Sequence, residues 1–507
     1  MNNDRVHPLI LEAKENLQQG KMSRRSFLRL ATLLGLSLSS AHLLAFGVAP
    51  KAQAATTEKI VRGGTLKAAR FVGRVDHPAR FSMVHQSHPW RHVFDYLTKT
   101  DIKGITHPYL LESWSVSDDL KTWTLKLKKG IKFSNGKELT ADDVIFNFSQ
   151  WLSKEVGSSL LGSLSYMDPA GQKKVDDYTV VCNLKNPSVV LPEHLYHYGA
   201  CILPKEFGGD ITREPIGTGP FLMKEYVPGE RCRLVARKDY WMKGADGKPL
   251  PYLDEIVFVE LGSDPAANLA ALRSGQVDTV IEPAVSIWEG VKDDPNFSII
   301  STPTAATRVL RVRVDQDPWK DVRVRQALKL CQNRPKILAI ALRNQGTIGA
   351  DSHIAAANGD NCPSIEPYPF DPAKAKKLLA DAGFPNGIDV KLSVASDWPE
   401  SMSYAQVLKQ DAEAAGIRIT LTPMPSTQYW DGWTDFNMGI TWWAHRPLAL
   451  MMLPLAYTAD KDGKPVPWNE SRWVNKEFPQ LLDKAQAIAK VDSRRDLVCQ
   501  MQKIMKE

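Results

Sequence analysis

One short block constrains this chain more than any other. Trp123-Thr124-Leu125-Lys126-Leu127-Lys128 alternates large apolar residues with hydroxyl or basic ones, and that period of two belongs to a strand with one buried face. Lys129-Gly130 ends it, and Asn135-Gly136 marks a turn between two apolar stretches. Thr140 then stands before Ala141-Asp142-Asp143-Val144-Ile145-Phe146-Asn147-Phe148. This is a helix start with a capping hydroxyl and two first-turn acids, where the helix dipole favours negative charge. A second capped helix is expected from Asp371-Pro372 to near Gly383, with Lys374, Lys376 and Lys377 in its body. Gly63-Gly64-Thr65-Leu66 reads as a turn entering a strand. Strand and helix signals are mixed along the chain, with no repeat period and no low-complexity tract. The expected fold class is therefore α/β with several short antiparallel pieces. At about 150 residues per domain, 507 residues allow roughly three units.

Charge needs to be located before it is interpreted. The net charge is +7, but residues 1–54 carry seven basic and three acidic groups, which leaves only +3 on the other 453 residues. A near-neutral body gives no electrostatic case for nucleic acid, and none is expected as a partner. With 43% hydrophobic and 24% charged residues the body is neither disordered nor a multi-span transporter. The basic N-terminus contains Ser23-Arg24-Arg25-Ser26-Phe27-Leu28-Arg29, then an apolar run from Leu30 to Val48, then Ala52-Gln53-Ala54. Paired arginines, an apolar run and a small-x-small site resemble a twin-arginine export signal, 1–54, cleaved before Ala55. The translocase that reads such signals is then a partner during export. Retention as a membrane anchor is the alternative, but Ser37, Ser39, Ser40 and His42 dilute the run. No later stretch offers the roughly 20 uninterrupted apolar residues that span a bilayer. The expected compartment is the periplasm.

The six cysteines (Cys182, Cys201, Cys232, Cys331, Cys362, Cys499) show no CxxC pairing, so a zinc ribbon or thioredoxin-type site is unsupported. Disulfides and buried free thiols both remain open. Catalytic signatures are scarce: there is no Gly-x-Ser-x-Gly elbow, no phosphate loop and no His-Glu-x-x-His. Gly217-Thr218-Gly219 lacks the third glycine of a dinucleotide loop, and Pro220 follows it. An enzyme is not expected, and no cofactor is implied.

The opening block also carries a resemblance. Leu111-Glu112-Ser113-Trp114, Thr122-Trp123-Thr124-Leu125, Gly130-Ile131-Lys132-Phe133-Ser134-Asn135-Gly136 and Thr140-Ala141-Asp142-Asp143-Val144 recur in order over about 35 residues. Gly217-Thr218-Gly219-Pro220-Phe221, Pro251-Tyr252-Leu253-Asp254-Glu255-Ile256, Ser274-Gly275-Gln276-Val277-Asp278 and Asp321-Val322-Arg323-Val324-Arg325-Gln326-Ala327-Leu328 agree. Together they resemble the solute-binding proteins of ABC importers for oligopeptides, dipeptides and nickel, known as family five. The resemblance implies a periplasmic-binding-protein fold with two lobes that close on ligand by a hinge, and an extra subdomain on the first lobe. By position, lobe one takes 55–98, 205–300 and 485–507, the subdomain 99–204, and the other lobe 306–484, with hinge crossings near 302–306 and 485–489. It further implies a monomer that delivers its ligand to a permease and its ATPase subunits. The family continues lobe one with further helix and strand, whereas Met505-Lys506-Glu507 falls inside an expected helix.

Three stretches are candidate ligand contacts. The resemblance places the segment before Val93-Phe94-Asp95 on the cleft, which nominates His85, Gln86, Ser87 and His88. His85, His88 and His92 have spacings that could gather imidazoles around a metal, but Pro89 interrupts the helix this needs, and no metal site is assigned. Surface or hydrogen-bonded histidines are the commoner outcome. In Ile440-Thr441-Trp442-Trp443-Ala444-His445-Arg446-Pro447 the resemblance implies an aspartate for a peptide's α-ammonium group, where this chain has His445 and then Arg446. Arg446 suits a carboxylate or phosphate, and Trp442 and Trp443 supply flat apolar walls. Arg311 and Arg313 alternate with Leu310, Val312 and Val314, so both point to one strand face. There they either bind an anion or pair with local acids. Tyr429 and Trp430 add stacking surface. The expected ligand is peptide-like or anionic, such as an opine-like conjugate or a sugar acid. A nickel chelate or an oligosaccharide is the alternative.

Overall fold

The computed structural model describes residues 7–36, 38–46, 60–102, 104–460 and 462–507. The expected cleavage site at 52–54 lies outside the described residues. The chain divides into two compact units. The first comprises Met1–Glu282 with Gln486–Asp492, and the second comprises Pro283–Ala485 with Ser493–Glu507.

The first unit contains the block on which the sequence reading turns. Thr122–Leu127 is a strand whose Trp123, Leu125 and Leu127 are buried while Lys126 is exposed, as the alternation requires. It sits inside a four-stranded antiparallel sheet between Leu111–Val116 and Thr179–Leu184, with Met167–Asp176 at the edge. The helix Ala141–Trp151 follows. The Thr140 backbone N–H donates to Asp143 Oδ2 at 2.8 Å, and the Lys205 N–H donates to Asp143 Oδ1 at 2.9 Å. The first-turn acid thus fixes the helix start and ties it to a remote loop. Gly136, at φ +85°, makes the turn that an L side chain would strain.

The second sheet of this unit has five strands in the order Thr279–Val280, Thr65–Ala69, Glu255–Val259, Arg231–Ala236, Phe221–Val227. Its first three strands are parallel and the rest antiparallel. The Gly217-Thr218-Gly219 turn leads into it. A Cβ on Gly217 would lie 2.1 Å from the Val93 carbonyl oxygen, so this glycine pair permits close backbone packing against Val93.

Three helices precede the body: Pro8–Gln18, Arg24–Leu33 and Leu38–Phe46. Ser23 caps the second through the Ser26 N–H at 3.1 Å. Arg24 and Arg25 are exposed, whereas Phe27, Leu30 and Leu33 are buried. Trp114 Nε1 donates to the Leu33 carbonyl at 2.8 Å. Among the described residues no helix is long and apolar enough to cross a membrane.

The second unit is built on a four-stranded sheet in the order Thr307–Val312, Met438–Trp443, Ile388–Ala395, Ile417–Met424. Its first pair is antiparallel and the others parallel. Leu392, Val394, Ile417 and Ile440 meet Ala405, Leu408 and Ala412 of the helix Pro399–Glu413 in one core. Each fully buried aliphatic side chain there contributes roughly 1.5–3 kcal/mol. The helix Pro372–Asp381 begins where expected, with Asp371 Oδ1 accepting from the Lys374 N–H at 2.9 Å. Its Ala375 and Leu379 join the same core.

The domain expectations differ from this division in two places. Residues 283–300, expected in lobe one, group with the second unit. So do residues 493–507, because Cys499 on the helix Val491–Lys506 is disulfide-bonded to Cys362 in that unit. Arg494 also lies against the buried Asp360 there. Cys182, Cys201, Cys232 and Cys331 are buried free thiols. Burial raises each thiol above its usual range, which keeps it protonated and unreactive.

Candidate functional site

In the first unit the candidate segment forms the short helix Val84–Ser87, followed by His88 and Pro89. The two histidines converge on a residue the sequence reading missed, Arg70, just past the strand Thr65–Ala69. Its Nε donates to His88 Nδ1 at 2.6 Å, one terminal nitrogen donates to the Ile281 carbonyl at 2.8 Å, and the other to Glu282 Oε2 at 2.5 Å. That last nitrogen also meets His85 Nδ1. The two imidazole rings stand edge to face with centroids 5.7 Å apart. Burial first, and then the Arg70 charge, hold both imidazoles well below their usual range, so both are neutral. Glu282 adopts φ +54°, an uncommon conformation for a residue with a side chain.

The other two residues of the segment have internal roles. Gln86 Oε1 accepts from the Ser82 and Met83 N–H groups at 2.9 and 3.1 Å, and Ser87 is buried with its hydroxyl on the Val84 carbonyl at 2.7 Å. His92 is not part of the cluster. It is half-buried, its ring against Phe221 and Phe258.

In the second unit the arginine strand takes the local-pairing alternative. Arg311 is buried, its Nε on Glu470 Oε2 at 3.1 Å and its terminal nitrogens on the Phe436 and Trp433 carbonyls. Its donors are taken up by these interior groups. Arg313, just past the end of the strand Thr307–Val312, forms a two-bond pair with Asp315 at 2.8 and 2.7 Å. Glu470 is the hub. It also accepts from Thr441 Oγ1 at 2.6 Å and Trp443 Nε1 at 2.8 Å, and His353 lies 3.6 Å away. Burial alone would raise this carboxyl, but His353, the Arg311 charge and Thr441 together keep it below its usual range.

Tyr429 is likewise internal, fully buried with its hydroxyl 3.0 Å from Thr441 Oγ1. Trp443 is buried on Glu470, which leaves its ring as a wall rather than its N–H as a contact. Trp430 is half-buried, and it belongs to a larger aromatic group. Ring centroids are 5.4 Å from Trp398 to Trp430, 5.5 Å from Trp430 to Trp433, and 6.0 Å from Trp433 to Trp468. All four tryptophans keep part of their surface exposed. Arg446 lies 5.7 Å from the centroid of Trp443, whose ring meets Trp433 and Trp468. Arg308 lies 5.7 Å from that of Trp442, the preceding residue of the strand, which faces the other side of the sheet. His445 is exposed, its Nδ1 accepting from the Ala305 N–H at 2.9 Å. Trp433, Trp468, His353 and Glu470 carry no local motif. The density of tryptophan between 430 and 473 is a signal that could have pointed to Trp433 and Trp468.

Two mixed α/β units of this kind define the two-lobed periplasmic binding-protein fold. The chain belongs to the bacterial extracellular solute-binding proteins, family 5 Middle, whose profile matches residues 106–463. It is similar to Di/tripeptide-binding protein 1 of Pseudomonas aeruginosa, 28% identical over 448 residues, covering 82% of this chain and 81% of the relative. It is also similar to the dipeptide-binding protein of Escherichia coli, 28% identical over 431 residues and 78% of each chain. Among solved structures, the fold matches DppA from Helicobacter pylori in complex with the peptide STSA. The TM-score is 0.77 with 23% identity, covering 89% of this chain and 92% of that one. It also matches AgaA in complex with agropinic acid, at TM-score 0.74 and 22% identity over 87% and 89%. The likeness to these two structures is one of fold.

Proposed function

We propose that this periplasmic solute-binding protein captures di- or tripeptides and passes them to the permease and ATPase subunits of an ABC importer. The support is the similarity to peptide-binding relatives over about four-fifths of the chain. The half-buried tryptophans of the second unit accompany it. They offer planar apolar surface that takes varied side chains without demanding one shape. Capture of this kind needs no covalent chemistry. The export signal on 1–54 and the monomeric state are part of the same proposal.

A second reading, an anionic ligand such as an opine-like conjugate or sugar acid, is favoured by Arg308 and Arg446 beside Trp442 and Trp443. The test is native mass spectrometry of protein purified from its own periplasm, followed by calorimetry with the released compound. A released peptide supports the first reading. An anionic compound whose binding weakens by about 1–3 kcal/mol in Arg446→Ala, the range for a charge-assisted hydrogen bond, replaces it with the second. Stoichiometric metal in the native spectrum overturns both.

A further inference from the structure

His85, His88 and Glu282 each offer one ligand atom, and these atoms lie within 4.8 Å of one another. By residue type this is a metal site. Its occupant, however, is the Arg70 guanidinium, with four of its five N–H donors engaged by His88, His85, Glu282 and the Ile281 carbonyl. Arginine donates and never accepts. Each histidine must therefore offer Nδ1 as a lone pair, and a neutral imidazole with Nδ1 unprotonated carries its proton on Nε2. A divalent cation at the shared point would need those same lone pairs and would sit against a fixed positive charge.

The ring edges that face away from Arg70 carry Nε2. His88 is half-buried, and the Nδ1 bond to Arg70 is the one hydrogen bond its ring makes among the described residues. We propose that Arg70 locks His88, together with His85, in the Nε2-protonated tautomer. His88 then presents a single N–H donor to an oxygen acceptor of the ligand, and the cluster takes no divalent metal. Arg70 is a positioning residue that acts through the histidines, and Glu282, turned by its positive φ, holds the guanidinium in place. The ligand half of this inference rests on the peptide reading, where the acceptor is a carbonyl or terminal carboxylate oxygen. The tautomer half stands on the geometry alone.

The test begins with long-range proton–nitrogen correlation spectra of full-length protein labelled with 15N at histidine. The expected result is that His85 and His88 both show unprotonated Nδ1 and protonated Nε2. In Arg70→Met the pattern should collapse to a tautomer mixture, which a purely structural role for Arg70 would not produce. An Nδ1-protonated pattern for His88 in the wild type overturns the lock and does so without any variant, so a misfolded Arg70→Met leaves the test intact. Titration with Ni2+ alone should give no stoichiometric binding, and one-to-one uptake lost in His88→Leu overturns the exclusion of metal. For the ligand half, the probe is L-alanyl-L-alanine with a free or an amidated C-terminus. His88→Leu should weaken binding at least tenfold, and His88→Gln, which returns an N–H near the Nε2 position, should recover most of it. A loss confined to the free-acid dipeptide assigns the carboxylate, and a loss with both assigns a carbonyl. Unchanged affinity in His88→Leu overturns the ligand half. Failure of the wild type to bind either dipeptide overturns the peptide reading itself, and the spectra still decide the lock.

Discussion

Replacing Arg311 separates two accounts of the same residue. If its side chain is the interior anchor described above, Arg311→Met removes a cation whose partner Glu470 is buried, with side-chain exposures of 3% and 2%. Thr441 and Trp443 still donate to the carboxylate and His353 stays 3.6 Å away, but the Arg311 charge that faced it is gone. Breaking a buried pair from one side costs about 3–5 kcal/mol. The carbonyls of Trp433 and Phe436 lose their donors as well, so the upper part of that range is expected. The assay is urea unfolding followed by tryptophan fluorescence, which reports on the second unit because the rings around Trp433 are attached to this anchor. Adding Glu470→Gln should recover about 1–3 kcal/mol of the loss. The neutral amide can still accept from Trp443 through its oxygen and donate its NH2 to the Thr441 hydroxyl, while the carboxylate charge is gone. A variant within about 1 kcal/mol of wild type but with reduced ligand affinity would refute the argument and return Arg311 to the binding surface. So would a Glu470→Gln partner that deepens the loss.

Two further outcomes follow from the same structure. Reduction, or Cys362→Ser, opens a loop with a sequence separation of 137 residues. The chain-entropy estimate for a loop of that size is about 5 kcal/mol as an upper figure, visible as a lower unfolding midpoint with reductant than without. Asp95 is buried, and burial raises its carboxyl to about 6 against the hydrogen bonds from Trp241 and Tyr240. A carboxyl that binds its proton more tightly when folded is destabilising at neutral pH and less so as pH falls through its folded value. The wild type should therefore gain about 1 kcal/mol on Asp95→Asn between pH 7 and 5, and a constant difference in unfolding free energy across that range would contradict the assignment.

Local signals were legible where they were self-sufficient. The alternation around Trp123, the cap at Thr140 and the Asp371-Pro372 start each act within a few residues, and each forms as its pattern requires. The site was legible by segment but not by role. Arg311 meets Glu470 across 159 positions, and Arg70 meets Glu282 across 212. No periodicity encodes such a pairing, because it depends on which strands become neighbours in a sheet. An arginine two residues from another on one strand face is compatible with a ligand or with a buried acid, and only the fold supplies the acid. The same holds for His85 and His88, whose spacing suggested a metal until Arg70 was found between them.

The Cys362–Cys499 bond has a consequence for how the protein breaks. Residues 486–492, which group with the first unit, lie inside the covalent ring that it closes. A protease that cuts once anywhere from 363 to 498 leaves both pieces tethered, and they separate on a gel only after reduction. A chain nicked in its periplasm therefore keeps its last helix fastened to the second unit, and damage there is held in place rather than shed.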